Sequence, residues 1–190
     1  QLVINDQRQF AGSVSGGCIE GAVVGEAMKI LQGADPTTLE FSVSDEQALN
    51  VGLTCGGSVS VFITAIDPEG IFKNLSEAVA DRTPLSIVSR LSNGEQNLVT
   101  ASAANGSLPL SEPLIRSARE AFETRTSITI TEAGEDWFIH GLAPAPRIFI
   151  IGAGHIAQAL APMASIAGFD VTIIDPRQAF ITEERFPGTS

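Results

Sequence analysis

Between Arg147 and Asp175 the chain reads RIFIIGAGHIAQALAPMASIAGFDVTIID. A β-branched apolar run, a Gly-Ala-Gly turn, an apolar stretch of helical character and a second β-branched run follow one another without a break. That order is a βαβ unit, and Gly152, Gly154 and Ala157 fill the G-x-G-x-x-G/A pattern that opens a Rossmann-type dinucleotide fold. Each position has a physical role. Gly152 permits the tight turn, Gly154 lets a pyrophosphate approach the backbone, and Ala157 is small enough for helix to pack on strand. Free N–H groups at the helix start then face the phosphates. Asp175 follows Gly154 by 21 residues, where a carboxylate takes ribose hydroxyls, whereas Arg177 would instead suit a 2′-phosphate. His155, inside the turn, either contacts a ligand or faces solvent at the helix start. The strands over 148–152 and 170–174 should be adjacent and parallel, because a right-handed helical crossover joins them.

Upstream, Pro144 and Pro146 in LAPAPR mark a linker over 142–146, since proline removes a backbone donor and favours extended chain. Before it, residues 1–141 alternate strand and helix patterns. QLVI and FAGSV around the polar NDQRQ read as a β-hairpin. From Ile19, the residues Ala22, Val23, Ala27, Ile30 and Leu31 fall at helical spacing, with Gly33 placed to end the helix. TLEFSV and SVSVFITAI follow as strands. The second half, 68–141, repeats the alternation: a helix over 71–81, strands at LSIVSRL and NLVTAS, a helix over 111–124 and a hairpin in TSITITEAGEDWFIHG. The fold class is therefore α/β, a mixed N-terminal domain followed over 147–190 by a partial doubly wound parallel sheet. The chain opens on Gln1 and stops at Ser190 after barely one βαβ half, so it reads as a fragment of a longer protein.

Bulk properties narrow the function. A chain of 190 residues, 44% hydrophobic, suffices for folded cores, and no apolar run reaches the roughly 18 residues of a membrane span. Net charge −11 disfavours broad nucleic-acid surfaces, which need Lys and Arg against phosphates. With no tyrosine, and with Lys29 and Lys73 as the only lysines, a Tyr/Lys proton-transfer pair cannot be assembled. That weakens a reading as an NAD(P)-dependent oxidoreductase, although the Gly-rich turn keeps it as the first rival.

Two cysteines remain, in SVSGGCIEGAV (13–23) and TCGGSVSVFI (54–63), each touching a Gly-Gly pair. Cys18 and Cys55 lack the spacing of a structural zinc site, and a disulfide is out of place in a chain without extracellular hallmarks. They are either small buried hydrophobes or a functional pair. If the strand before Cys18 runs antiparallel to the strand starting near Ser58, both thiols meet at one sheet edge. Gly16, Gly17, Gly56 and Gly57 would then form a nest of N–H groups beside a helix start, suited to an anion and to a thiolate. Glu20 and Asp45 are polar neighbours, with Glu20 read as an ordinary first-turn carboxylate.

GSVSGGCIEGAV, SDE at 44–46, VGLTCGG at 51–57, IFIIGAGHIAQALA and DPRQAFITEERFP together resemble the XdhC/CoxI family, the xanthine dehydrogenase accessory proteins. The resemblance covers both ends of the chain, and 68–141 contributes little to it. It implies an accessory chaperone, rather than a turnover enzyme, that binds molybdenum cofactor (molybdopterin) and supports its sulfuration and insertion. The implied partners are a xanthine dehydrogenase-type molybdenum hydroxylase and a cysteine desulfurase, in the cytoplasm, with a homodimer as the expected assembly. Cys18 and Cys55 would handle the metal centre or a transferable sulfur, and the glycine nest would hold the cofactor phosphate. A non-catalytic scaffold, in which the glycines only serve turns, is the second alternative.

Overall fold

The structure, a computed structural model, describes residues 1–43 and 57–189. It divides into two compact units, Gln1–Ala143 and Pro144–Ser190.

In the first unit, β1 (Leu2–Ile4) and β2 (Phe10–Gly12) form the expected hairpin. Asn5 sets its turn, its side-chain oxygen accepting the N–H groups of Gln7 and Gln9. Helix α1 (Glu20–Leu31) buries Val23, Ala27 and Ile30 along one face. It closes on Gly33, whose φ of +101° is a conformation L side chains rarely adopt. β3 (Thr37–Val43) and β4 (Gly57–Ile63) are antiparallel over their whole lengths, Thr37 opposite Ile63 and Val43 opposite Gly57. Ile19, Val23, Ala27, Ile30 and Ile63 make a small core, with Leu39, Phe41 and Val61 packed against it.

This pairing corrects one expectation. The strand preceding Cys18 ends at Gly12 and pairs with β1, while β4 pairs with β3, so the antiparallel alignment that was to bring the two cysteine motifs together is not formed among the described residues. Strands consecutive in sequence pair preferentially because their closure costs least chain entropy, and β3 and β4 are two such strands of matched length.

The second half of this unit begins with α2 (Ile71–Ala80) and builds an antiparallel sheet in the order β7-β6-β5-β9-β8. Its strands are β5 (Leu85–Arg90), β6 (Gln96–Thr100), β7 (Ala104–Gly106), β8 (Ser127–Glu132) and β9 (Glu135–Leu142). Helix α3 (Glu112–Thr124) covers one face, placing Leu114, Ala118 and Ala121 against Val88, Val99 and Ile139. Ser111 caps that helix by accepting the N–H of Leu114 at 3.3 Å. The three-residue β7 has no apolar alternation and is an addition to the expected strands.

In the second unit, β10 (Arg147–Ile151) and β11 (Asp170–Ile174) run parallel in the expected arrangement, Arg147 opposite Asp170 and Ile151 opposite Ile174. Helix α4 (His155–Ile166) lies on them through Ala157, Ala161 and Ala164, whose small side chains allow close approach. Phe149 and Ile151 on the other face of the strands are exposed, as are Ile156 and Ile166 on α4. No helix among the described residues is long and apolar enough to cross a membrane.

Candidate functional site

The loop between β2 and α1 lies outside strand and helix, so the N–H groups of Val14 to Gly17 need an acceptor of another kind. They find it in Glu20. One carboxylate oxygen accepts the N–H groups of Val14 (3.1 Å), Ser15 (3.0 Å) and Gly16 (3.1 Å) and the Ser13 hydroxyl (2.8 Å). The other accepts the Gly17 N–H and the Ser15 hydroxyl, both at 2.9 Å. Gly16 and Gly17 reach this arrangement with φ of +79° and +122°. Glu20 is 8% exposed, and the hydrogen bonds, led by the Ser15 N–H and the Ser13 hydroxyl, hold its carboxyl far below the usual range. A nest of amides is present at Gly16 and Gly17, as the motif implied, but the anion in it belongs to the protein. The expectation that these two glycines offer free N–H groups to a cofactor phosphate is corrected accordingly.

Cys18 sits inside this clasp, between the last donor, Gly17, and the acceptor, Glu20. It is a free, half-buried cysteine that packs against the α1 core. Cys55, Gly56 and Asp45 lie outside the described residues. Gly57 opens β4 opposite Val43. Among the described residues no group of three His, Cys, Asp or Glu side chains gathers as a metal site.

At the Gly-rich turn of the second unit, Gly152 has φ +100° and donates its N–H to the Ile174 carbonyl at 2.7 Å. Gly154 caps α4 with an extended backbone, and a Cβ there would meet nothing within 4 Å. His155 is exposed at the first position of α4. Asp175 is differently placed from the expectation. Its carboxylate accepts the Ala153 N–H at 2.8 Å, and the Arg177 guanidinium grips both its oxygens at 2.9 and 2.8 Å. The Asp175 side chain is 1% exposed and the Arg177 side chain 58%. Hydrogen bonds from Arg177 first, then from Ala153, hold the carboxyl far below its ordinary range. In this arrangement Asp175 braces the turn, and both of its oxygens are engaged where a ribose would need them. Arg177 and Arg185 also lie over the Phe180 ring, 4.0 and 4.9 Å from its centroid. Arg185 donates to the Ala153 carbonyl at 3.0 Å. The Asp175 carboxylate therefore does not fit a nucleotide ribose, while the start of α4 is open to a phosphate.

Gly154→Asp separates these roles. With open space and an ordinary φ, the variant should melt as the parent does, within the roughly 0.5 kcal/mol of an exposed substitution. Whatever affinity the parent has for NADH by calorimetric titration should be lost, since the new carboxylate meets the phosphates. Unchanged binding would make the fingerprint purely architectural.

Sequence reasoning missed Glu20 as the nest's ligand. The signal was available: Glu20 lies three residues after Gly17 and reaches back to its N–H, the reach of a capping-box glutamate. The Arg177 grip had no comparable local signature.

These features define an α/β chain with a Rossmann-type C-terminal unit and a clasped thiol loop at the start of its N-terminal unit. The family model described as the XdhC Rossmann domain matches residues 148–190, and that of the XdhC and CoxI family matches residues 1–42. The two matches fall at the two ends of the chain, where the motifs lie. Two curated relatives are similar along nearly the whole chain. One is the molybdenum cofactor insertion chaperone PaoD of Escherichia coli, 24% identical over 92% of this chain. The other, from Bacillus subtilis, is described as a probable subunit of xanthine dehydrogenase and is 24% identical over 93%. The chain spans 46% and 54% of their lengths, about half. A crystal structure of a xanthine dehydrogenase from Bacillus halodurans superposes on all of this chain and 56% of its own, with TM-score 0.77 and 24% identity, and shows the same fold.

Proposed function

We propose that this chain is part of an accessory chaperone that carries molybdenum cofactor to a xanthine dehydrogenase-type hydroxylase and supports its sulfuration. The observation that carries the reading is the placement of Cys18, a free, half-buried cysteine in a loop held by six hydrogen bonds to one carboxylate. It is supported by the likeness to PaoD, whose name describes a chaperone of molybdenum cofactor insertion. A thiolate is a soft donor, suited to the molybdenum of the cargo or to a sulfur atom in transit from a cysteine desulfurase. The amides of Gly16 and Gly17 are committed to Glu20, so the cofactor phosphate is assigned to groups outside this loop. The α4 start, at Gly154 and His155, is the proposed phosphate site, with Gly152 shaping the turn that leads into it. Cys55 and Gly56 keep their proposed part in handling the cargo, with Cys18 as partner, and a cytoplasmic homodimer remains the proposed working form.

Activation of the apo-hydroxylase by the intact protein tests this. Cys18→Ala should fold as the parent does yet deliver active cofactor about tenfold less well, the scale on which support groups of metal sites act. Activation equal to that of the parent would make Cys18 a packing residue.

A further inference from the structure

We infer that Glu20 is the positioning residue for Cys18, the part of the loop that decides how its thiol is presented. The inference rests on the reading of Cys18 as the handling residue and adds to it the device that sets its geometry. Glu20 occupies the first turn of α1, and that helix is fixed to the core by Ile19, Val23, Ala27 and Ile30. The position of its carboxylate is therefore set by packing and not by the loop. Four successive amides, from Val14 to Gly17, converge on it from the other side of Cys18. The closure from the Gly17 N–H to the Glu20 carboxylate spans only Cys18 and Ile19, and the Ile19 N–H is itself held by the Ser15 hydroxyl at 3.2 Å. The backbone of Cys18 cannot turn without breaking one of these bonds.

An ordinary first-turn glutamate, exposed and interacting with the helix dipole, would leave the preceding loop free. Here the side chain is buried and takes six donors, two of them on glycines at positive φ, which turn their N–H groups toward the one carboxylate. The arrangement also argues against a loop kept open for an external phosphate. An incoming anion would have to expel a carboxylate whose helix is anchored in the core, and that carboxylate would lose all its donors at once.

Glu20→Gln and Glu20→Asp in the intact protein, with iodoacetamide as the thiol probe and peptide mass spectrometry to follow Cys18, test the assignment. The glutamine keeps the shape but turns an NH2 toward donors. The aspartate keeps the charge but is one methylene short. Glu20→Gln should speed amide exchange over 14–17 by about tenfold or more, the worth of one charge-assisted hydrogen bond. It should also change the Cys18 alkylation rate at least about threefold while the unit stays folded by circular dichroism. Glu20→Asp, retaining the charge, should recover part of both effects. An alkylation rate that stays at the parent value while the loop amides open would overturn the inference, as would global unfolding of both variants. These readouts need no cofactor. If Cys18→Ala proves fully active while Glu20→Gln alters alkylation, the handling role fails and the positioning stands; the reverse pattern retains the handling role and rejects the positioning.

Discussion

Gly141→Ala is expected to destabilise the N-terminal unit by about 3 kcal/mol, at the upper end of overpacking costs. Gly141 lies on β9 opposite Ser86, on the face that α3 covers. A Cβ there would run into the carbonyl of Ala121 and stand 2.7 Å from the Phe122 nitrogen. Both are backbone atoms of α3, so no rotamer change can relieve the clash and the helix must move. The same helix carries Leu114, Ala118 and Ala121, each no more than 1% exposed, and its Ala118 carbonyl accepts the buried Ser86 hydroxyl. Displacing it therefore loosens the whole sheet face. Urea denaturation should show a clearly lower midpoint for Gly141→Ala and an unchanged one for Gly154→Ala, where the added methyl meets open space. Equal midpoints would mean that α3 and β9 are farther apart than described.

Asn97→Ala is expected to cost a comparable amount, about 3 kcal/mol, for a different reason. Asn97 is 2% exposed, and its amide clasps one residue from both sides: it donates to the Leu108 carbonyl at 2.8 Å and accepts the Leu108 N–H at 3.1 Å. Leu108 is itself buried and belongs to the core beneath α3. Removing the amide orphans a buried donor and a buried acceptor together and leaves a void beside them. The urea midpoint should fall about as far as for Gly141→Ala. A loss no larger than that of an exposed substitution, about 0.5 kcal/mol, would show that water enters and replaces the amide.

The βαβ unit could be read directly because its evidence is local. Glycine spacing, the change from strand to helix periodicity and the small residues at 157, 161 and 164 all lie within 29 residues of chain. The hairpins and α1, α2 and α3 were legible for the same reason. What could not be read was long-range or geometric. The pairing of β4 with β3, and not with the strand before Cys18, depends on competition between partners that periodicity alone does not decide. The short β7 has no side-chain alternation to announce it.

At the site, both Gly-rich loops were found, but what fills them was not. Glu20 closes the first and Asp175 braces the second, each a carboxylate supplied by the chain itself. A glycine motif reveals where amides can be gathered. Which acceptor they meet depends on where the next helix or strand holds a carboxylate, and that is a property of the packed structure.

The molybdopterin content of the intact protein, purified as parent and as Cys18→Ala under identical conditions, tests most directly the proposed role of Cys18 in holding the cargo. Bound molybdopterin is expected in the parent and about tenfold less in the variant, with both proteins folded. Equal molybdopterin in the two proteins, or none in the parent, would contradict it.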